Sequence, residues 1–194
     1  MHMKSNEVLT EFHEAGALLD GHFILSSGLR SPQYLQCARV LTDPVRAMRL
    51  AAALAEKVRT AGVTVDAVIA PAMGGIIIGY ELARQLGAAS MFVERPQGVF
   101  ELRRGFTLAA ATRVLLCEDV VTTGLSSREA IAAIRAAGGE VIAAACLIDR
   151  SNGSADIGLP LISLIRIDIP TYAAGALPPE LARIPAIKPG SRAA

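Results

Sequence analysis

Two adjacent carboxylates, Glu118 and Asp119, stand between an apolar run and a segment rich in hydroxyl groups. The run Val114 to Cys117 is typical of a buried strand, and the segment Thr122 to Ser127 is typical of a loop that opens a helix. Backbone N–H groups of a glycine-containing loop at a helix start bind anions, and the hydroxyls add further donors. The neighbouring carboxylates can accept hydrogen bonds from vicinal hydroxyls or contact a hydrated Mg2+ ion. A phosphate site next to a diol site predicts a ligand that contains ribose 5-phosphate.

A simpler interpretation of this stretch stays open from the residues alone. Hydroxyl side chains often do no more than cap a helix, and paired acids are common in exposed turns. The order of strand, acids and loop favours the binding function. The sequence contains neither G-x-G-x-x-G after a strand nor G-x-x-x-x-G-K-[ST], which excludes the usual dinucleotide and P-loop sites.

The elements that must position these residues alternate between strand and helix from Val65 onward. This alternation predicts an α/β fold with a central, mainly parallel sheet flanked by helices. Ligands of such sheets bind beyond the carboxyl ends of the strands. We predict strands at 65–70, 90–95, 114–117, 141–148 and 161–167, and helices at 5–19, 43–61, 76–86 and 126–137. We also predict two short strands at 22–28 and 34–37, a hairpin or mobile loop at 97–106, and an irregular arm from Ala173 onward.

Composition limits the classes of protein to consider. The chain has 194 residues, the length of one domain, and its net charge of +1 does not favour nucleic acid or an anionic membrane as partner. Cys37, Cys117 and Cys146 include no C-x-x-C pair and indicate reduced thiols. A catalytic thiol is disfavoured because no base lies near any of them. No apolar run approaches the roughly 20 residues of a spanning helix, and the polar start lacks a signal peptide. We expect a soluble, cytoplasmic protein.

The stretch from Glu118 to Ser126 resembles the motif with which type I phosphoribosyltransferases bind 5-phosphoribosyl-1-pyrophosphate (PRPP). The resemblance implies a phosphoribosyl transfer that requires Mg2+, held mainly through PRPP with Glu118 and Asp119 nearby. It also assigns a pyrophosphate loop to the small residues after the predicted strand 65–70, where backbone amides can approach an anion closely. The PRPP-binding residues implied are Glu118, Asp119, Val120, Val121, Thr122, Thr123, Gly124, Leu125, Ser126 and Ser127, and the pyrophosphate loop is Ala72, Met73, Gly74 and Gly75. The Gly74-Gly75 pair is also typical of an ordinary turn.

Four further segments resemble the orotate phosphoribosyltransferases within that family: 21–34, 94–106, 147–150 and 188–192. The resemblance implies one domain, 1–194, in which residues 1–40 and part of the C-terminal region form a hood over the base. It also implies orotate as acceptor, orotidine 5′-monophosphate as product, and a cytoplasmic homodimer with a shared active site. An arginine fork suits the orotate carboxylate and an aromatic ring suits its face. The orotate-binding residues implied are Thr122, Arg150, Tyr34, Phe23 and Ser26. Other interpretations stay open from the residues alone: Phe23 and Tyr34 as core residues, and Arg150 as an ion-pair partner of Asp149 or Asp156.

The sequence departs from the family pattern at three places. Ser26 and Gly74 stand where many members have lysine, and the mobile loop carries arginines without lysine or histidine. We expect Arg95, Arg103 and Arg104 to neutralise the leaving pyrophosphate, and a solvated basic hairpin is the alternative. Three other functions remain open: a purine phosphoribosyltransferase, a PRPP-binding regulator without turnover, and an α/β interaction domain. Two features argue against a purine base as the acceptor: the hood segment 23–27 and Arg150.

Overall fold

The computed structural model describes residues 3–25 and 27–189. Its elements follow one another in a mixed α/β order, with short hood strands at the two ends of the described chain. In chain order they are α1 (Ser5–Glu14), β1 (Leu18–Ile24), β2 (Arg30–Leu35), α2 (Cys37–Val40), α3 (Pro44–Thr60), β3 (Ala67–Pro71), α4 (Gly75–Leu86), β4 (Ala89–Glu94), β5 (Glu101–Leu102), β6 (Arg113–Val121), α5 (Leu125–Ala136), β7 (Glu140–Asp149), β8 (Leu161–Arg166), α6 (Pro179–Ala182) and β9 (Ala186–Ile187).

The larger sheet has six strands in the order β5-β4-β3-β6-β7-β8. Strands β4, β3, β6, β7 and β8 pair in parallel, and β5 pairs antiparallel with β4, so residues 97–106 belong to a hairpin. Every residue of β3 is buried, as expected for a parallel strand covered on both faces. One face packs against α3 and α4 and the other against α5. The predicted α/β class, with a mainly parallel sheet flanked by helices, is confirmed.

Helix α3 begins where the sequence predicts. The Asp43 side chain accepts hydrogen bonds from Val45 N at 2.9 Å and Arg46 N at 3.4 Å, and Pro44 occupies the first turn. The helix ends beside Gly62, whose φ of +72° is in the left-handed region. These local signals define the two ends of the helix.

The predicted first helix, 5–19, was wrong at its end. Helix α1 stops at Glu14, Gly16 adopts a φ of +59°, and strand β1 starts at Leu18. Leu18 is buried, but as a strand residue. A buried position in a strand and one in a helix show the same apolar side chain, so spacing alone did not separate the two.

A second, three-stranded sheet has the order β2-β1-β9 and is called the hood sheet below. Strands β1 and β2 are antiparallel, and β9 pairs parallel with β1 through His22–Ala186 and Phe23–Ile187. The two predicted strands were displaced, since Cys37 begins the short helix α2 instead of ending a strand. The expected irregular arm was wrong in part, because it contains α6 and β9. None of the described helices is long and apolar enough to cross a membrane.

Candidate active site

Two loops meet at the carboxyl ends of the neighbouring strands β3 and β6. One connects β3 to α4 and includes Gly74; the other, residues 122–124, connects β6 to α5. A Cβ atom placed on Gly74 would lie 2.8 Å from Asp119 Oδ2, closer than real Cβ contacts allow. The absence of a side chain at position 74 therefore permits the close approach of the two loops. The peptide bond between Ala72 and Met73 is cis.

Glu118 is buried, with 6% of its surface exposed. The sequence predicted that the strand before it ends at Cys117. Strand β6 continues to Val121, so both acids belong to it. Burial raises the pKa of Glu118 from 4.5 to about 7, the hydrogen bond from Ser127 opposes the rise, and Asp119 adds to it. Ser127 Oγ donates to Glu118 Oε1 at 3.1 Å. The Ser127 hydroxyl thus supports Glu118 rather than facing the loop mouth.

Asp119 projects to the opposite face of β6, because successive strand residues alternate. Its Oδ1 accepts a hydrogen bond from Val120 N at 2.9 Å, and burial raises its pKa. It faces Gly74 of the other loop. The two carboxylates therefore have separate surroundings: Glu118 lies against the start of α5, and Asp119 lies between the two loops.

The loop before α5 is held in one shape by the backbone conformation of Gly124 and by two hydrogen bonds of Arg128. Gly124 has a φ of +74°, and a Cβ there would lie 2.7 Å from Ile157 Cγ2. Arg128 Nη1 donates to the carbonyl oxygens of Thr123 at 3.1 Å and Asp156 at 2.7 Å. The first backbone N–H groups of a helix lack intrahelical acceptors. The positive end of the α5 dipole can therefore accept a phosphate.

A cavity of about 800 Å³ separates this loop from the hood sheet. Among the described residues that line it, Arg150 and Lys188 are charged and no carboxylate is present. The lining residues are Ile24, Leu25, Ser27, Leu29, Tyr34, Thr122, Thr123, Arg150, Ser151, Ser154, Ile169, Thr171, Lys188 and Pro189. The structure thus brings together Tyr34, Thr122 and Arg150 of the expected base-binding set. Ser26 lies outside the described residues.

Arg150 does not form the ion pair that the sequence left open. Asp149 accepts hydrogen bonds from Ser151 N at 2.8 Å and Ser151 Oγ at 2.6 Å, and its Oδ2 lies 3.4 Å from Arg166 Nε. Arg150 is half-buried, burial lowers its pKa, and its Nε is buried without a hydrogen-bond partner among the described residues. A buried guanidinium nitrogen without an acceptor is costly, so an anionic ligand in the cavity would satisfy it.

Phe23 and Tyr34 have different positions. Phe23 is buried, 4% exposed, and does not line the cavity. Its ring centroid lies 5.6 Å from that of Tyr34, with the planes inclined by 36°. Phe23 therefore supports the Tyr34 ring from within the hood, and Tyr34 forms part of the cavity wall.

The three loop arginines are not in the described cavity. Arg95 pairs with Glu129 and lies 4.0 Å over the ring centroid of Phe100. Arg104 Nε donates to Glu94 Oε1 at 2.9 Å, and Arg103 Nη1 lies 3.7 Å from the same oxygen. Exposed ion pairs of this kind contribute little to stability, so the arginines can exchange these carboxylates for other anions.

A family described as the phosphoribosyl transferase domain matches residues 38–168. The chain belongs to the phosphoribosyltransferase family. It is 64% identical over 193 residues to an orotate phosphoribosyltransferase of Rhizorhabdus wittichii, covering 99% of this chain and 98% of that protein. An orotate phosphoribosyltransferase of Novosphingobium aromaticivorans is 61% identical over 192 residues, with 98% and 99% covered. The crystal structure of orotate phosphoribosyltransferase from Aeropyrum pernix superposes with a TM-score of 0.69 at 29% identity, covering 82% and 93% of the two chains.

These similarities confirm the resemblance predicted from the sequence. The matched region of this phosphoribosyltransferase contains β3, β6 and both loops at their ends. The hood sheet lies outside that region, and the similarity over nearly the full chain extends to it.

Sequence reasoning missed several residues of the cavity in this phosphoribosyltransferase. Ser151 and Ser154 follow Arg150 in a turn, and Thr171 and Lys188 come from the C-terminal part of the chain. The signal that pointed to Lys188 was the resemblance of segment 188–192 to one branch of the family. Nothing in the local pattern placed Thr171 in the cavity.

Proposed function

We propose that this protein transfers the phosphoribosyl group of PRPP to orotate and forms orotidine 5′-monophosphate and pyrophosphate, a step of UMP biosynthesis. One observation carries the proposal: a cavity without a described carboxylate, lined by Arg150, Lys188 and the Tyr34 ring, adjoins an anion-binding helix start. A flat anionic base fits such a cavity. The relatives at 58–64% identity are named orotate phosphoribosyltransferases, which agrees with it.

The donor is held at the two strand ends. The 5-phosphate binds the backbone N–H groups of residues 122–127 and the hydroxyls of Thr122, Thr123 and Ser126, because the Ser127 hydroxyl is engaged with Glu118. The pyrophosphate binds the amides of residues 72–75. Glu118 and Asp119 accept hydrogen bonds from the ribose hydroxyls. Burial of both acids strengthens these contacts, because water competes less for their oxygens.

We also propose that the reaction requires Mg2+. No group of three or more histidine, cysteine or acidic side chains among the described residues forms a metal cage. Mg2+ commonly binds through one or two carboxylates plus substrate phosphates, and Glu118 and Asp119 fit that donor set. The ion, when bound with PRPP, neutralises charge on the pyrophosphate.

The transfer exchanges one bond at C1 of the ribose. The C1–O bond to pyrophosphate breaks and its electron pair leaves with the pyrophosphate. N1 of orotate forms the new bond from the opposite face and loses its proton. The residues of this chain act by positioning the two substrates and by stabilising the charge on the leaving group. No covalent intermediate with the enzyme is required.

We further propose a homodimer, which lets the loop arginines act in a neighbouring subunit. Large apolar side chains are exposed beside the pyrophosphate loop: Met73 is 82%, Tyr80 64% and Ile77 51% exposed. Ile77 and Tyr80 border a groove of about 500 Å³ between α3 and α4. A second copy covers such a surface and brings its hairpin, with Arg95, Arg103 and Arg104, to this loop.

The dimer is tested by sedimentation of Tyr80→Glu, with Leu19→Asp in the hood as control. We expect Tyr80→Glu to sediment as a monomer and to lose activity, and the control to remain dimeric. A wild-type monomer with full activity would contradict the dimer but not the transfer reaction. We place the reaction in the cytoplasm, in keeping with the three buried free thiols.

The transferase reaction is tested by following orotate absorbance with purified protein, PRPP and Mg2+. We expect orotate to disappear only when PRPP and Mg2+ are both present, and EDTA to stop the reaction. Adenine and hypoxanthine serve as competing acceptors. Consumption of a purine without consumption of orotate would overturn the assignment of the base, and PRPP binding without any turnover would support a regulator instead.

A further inference from the structure

A lysine from the C-terminal part of the described chain, Lys188, lines the cavity. Strand β9 pairs parallel with β1, with Phe23 opposite Ile187, so the next residue, Lys188, continues along the hood wall beside Ile24. Lys188 and Ile24 both line the cavity. Of the three lysines, Lys4, Lys57 and Lys188, this one alone is among the described lining residues.

The segment that carries Lys188 is anchored. The buried ring of His22, 5% exposed, makes a hydrogen bond from Nδ1 to the carbonyl oxygen of Ile184 at 2.9 Å. Leu181 of α6 is 3% exposed, and Tyr172 exchanges two backbone hydrogen bonds of 2.8 Å with Arg30. These contacts fix the path of residues 172–187 against the hood sheet, which limits where Lys188 can lie.

The charge of the cavity suits a second cationic contact to the base. Arg150 projects from the end of β7 on the sheet side, and Lys188 stands on the hood side. Both belong to a lining without a described carboxylate. A planar anion between the two walls would contact the guanidinium of Arg150 on one side and the ammonium of Lys188 on the other. The two groups differ in geometry but carry the same charge.

We propose that Lys188 is a substrate-binding residue whose ammonium group, together with Arg150, holds the negative charge of the pyrimidine base. The inference rests on the proposed transfer to orotate and names the second group that recognises the acceptor.

Lys188 serves the base rather than the 5-phosphate. The phosphate has its own donors in residues 122–127 at the end of β6. Lys188 is attached to the hood sheet, on the same wall as Leu25 and Tyr34. Its removal should therefore weaken the binding of orotate and leave that of PRPP largely unchanged.

The test compares Lys188→Met, Lys188→Arg and the wild type in steady-state assays with each substrate varied. Arg183→Met is the matched control, an exposed cation of the same segment that does not line the cavity. We expect Lys188→Met to raise KM for orotate about tenfold to a hundredfold, the loss of one charge-assisted hydrogen bond. KM for PRPP should change less than about twofold, and Lys188→Arg should recover most of the orotate affinity.

The outcomes separate the inference from the proposed function. Wild type that consumes orotate while Lys188→Met keeps the same KM for orotate overturns the role of Lys188 and leaves the transfer reaction standing. A rise in KM for PRPP alone overturns the assignment to the base side. If the wild type does not consume orotate, both the proposed transfer to orotate and the role of Lys188 are overturned. Circular dichroism of the same samples will show that every variant is folded at the assay temperature.

Discussion

The proposed donor side and the proposed base side of the site are built in different ways. The donor side consists of two short contiguous segments, 72–75 and 118–127, at the ends of buried neighbouring strands. The base side combines residues from the hood, the turn after β7, the segment after β8 and the C-terminal segment. The first consists of loops that directly continue buried strands. The second is assembled from segments that lie far apart in the sequence.

The strongest test of the donor side is Asp119→Asn. Asparagine keeps the shape but not the charge that orients the ribose, and we expect turnover to fall about a hundredfold to a thousandfold. The melting temperature should not decrease, because burial already disfavours the charged form of Asp119. Asp168→Asn, an exposed position, is the control. Unchanged turnover would show that Asp119 is not part of the site. The contrast between the donor side and the base side would then lose its support.

Glu118→Gln tests whether the negative charge of the buried Glu118 carboxylate lowers the stability of the folded protein. The pKa of Glu118 is raised from 4.5 to about 7, so the folded state binds the proton more tightly than the unfolded state. That contribution to stability is complete below pH 4.5 and is lost as the pH rises through 7. Glutamine stays neutral at every pH and can still accept the Ser127 hydrogen bond.

We therefore expect the ligand-free variant to match the wild type near pH 4.5 and to exceed it at pH 8 by about 3 kcal/mol. Urea unfolding at several pH values measures the difference. The exposed Glu56→Gln is the control and should show no such trend. A difference that stays constant with pH would mean that the carboxyl is not buried in solution.

Gly74→Ala tests the contact between the two donor loops. The new Cβ would meet Asp119 Oδ2 at 2.8 Å, so either the loop or the carboxylate must move. We expect kcat/KM for PRPP to fall about a hundredfold, roughly 2.7 kcal/mol, with KM for orotate little changed. Gly175→Ala, where a Cβ has no neighbour within 4 Å, is the matched control. An equal loss for both substrates would show that the two sides are coupled.

Arg150→Met tests whether a change on the base side affects the binding of orotate alone. Methionine keeps the aliphatic stem and removes the guanidinium, and we expect KM for orotate to rise about thirtyfold, roughly 2 kcal/mol. KM for PRPP should stay near the wild-type value. Arg150→Lys should restore only part of the affinity, because lysine lacks the planar fork. Full restoration would show that charge alone, without fork geometry, recognises the base.

The same difference explains what the sequence could and could not predict. The acids and the loop of the donor side are contiguous, and a strand–loop–helix order has a direct physical meaning, so their positions followed from local pattern. Lys188 depends on the pairing of β9, only two residues long, with β1. So short a strand has no periodicity to detect. The ends of α1 and β6 were also misjudged, because apolar residues are buried in helices and strands alike.

The order in which the enzyme folds follows from the pairing of β1 with β9. His22 and Ile184 are 162 positions apart, whereas β3, β4, β6 and β7 follow one another along the chain. Contacts that close long loops form against a larger entropy and usually form later. We therefore expect a refolding chain to regain its affinity for PRPP before its affinity for orotate, with the contacts that border the proposed acceptor site forming last.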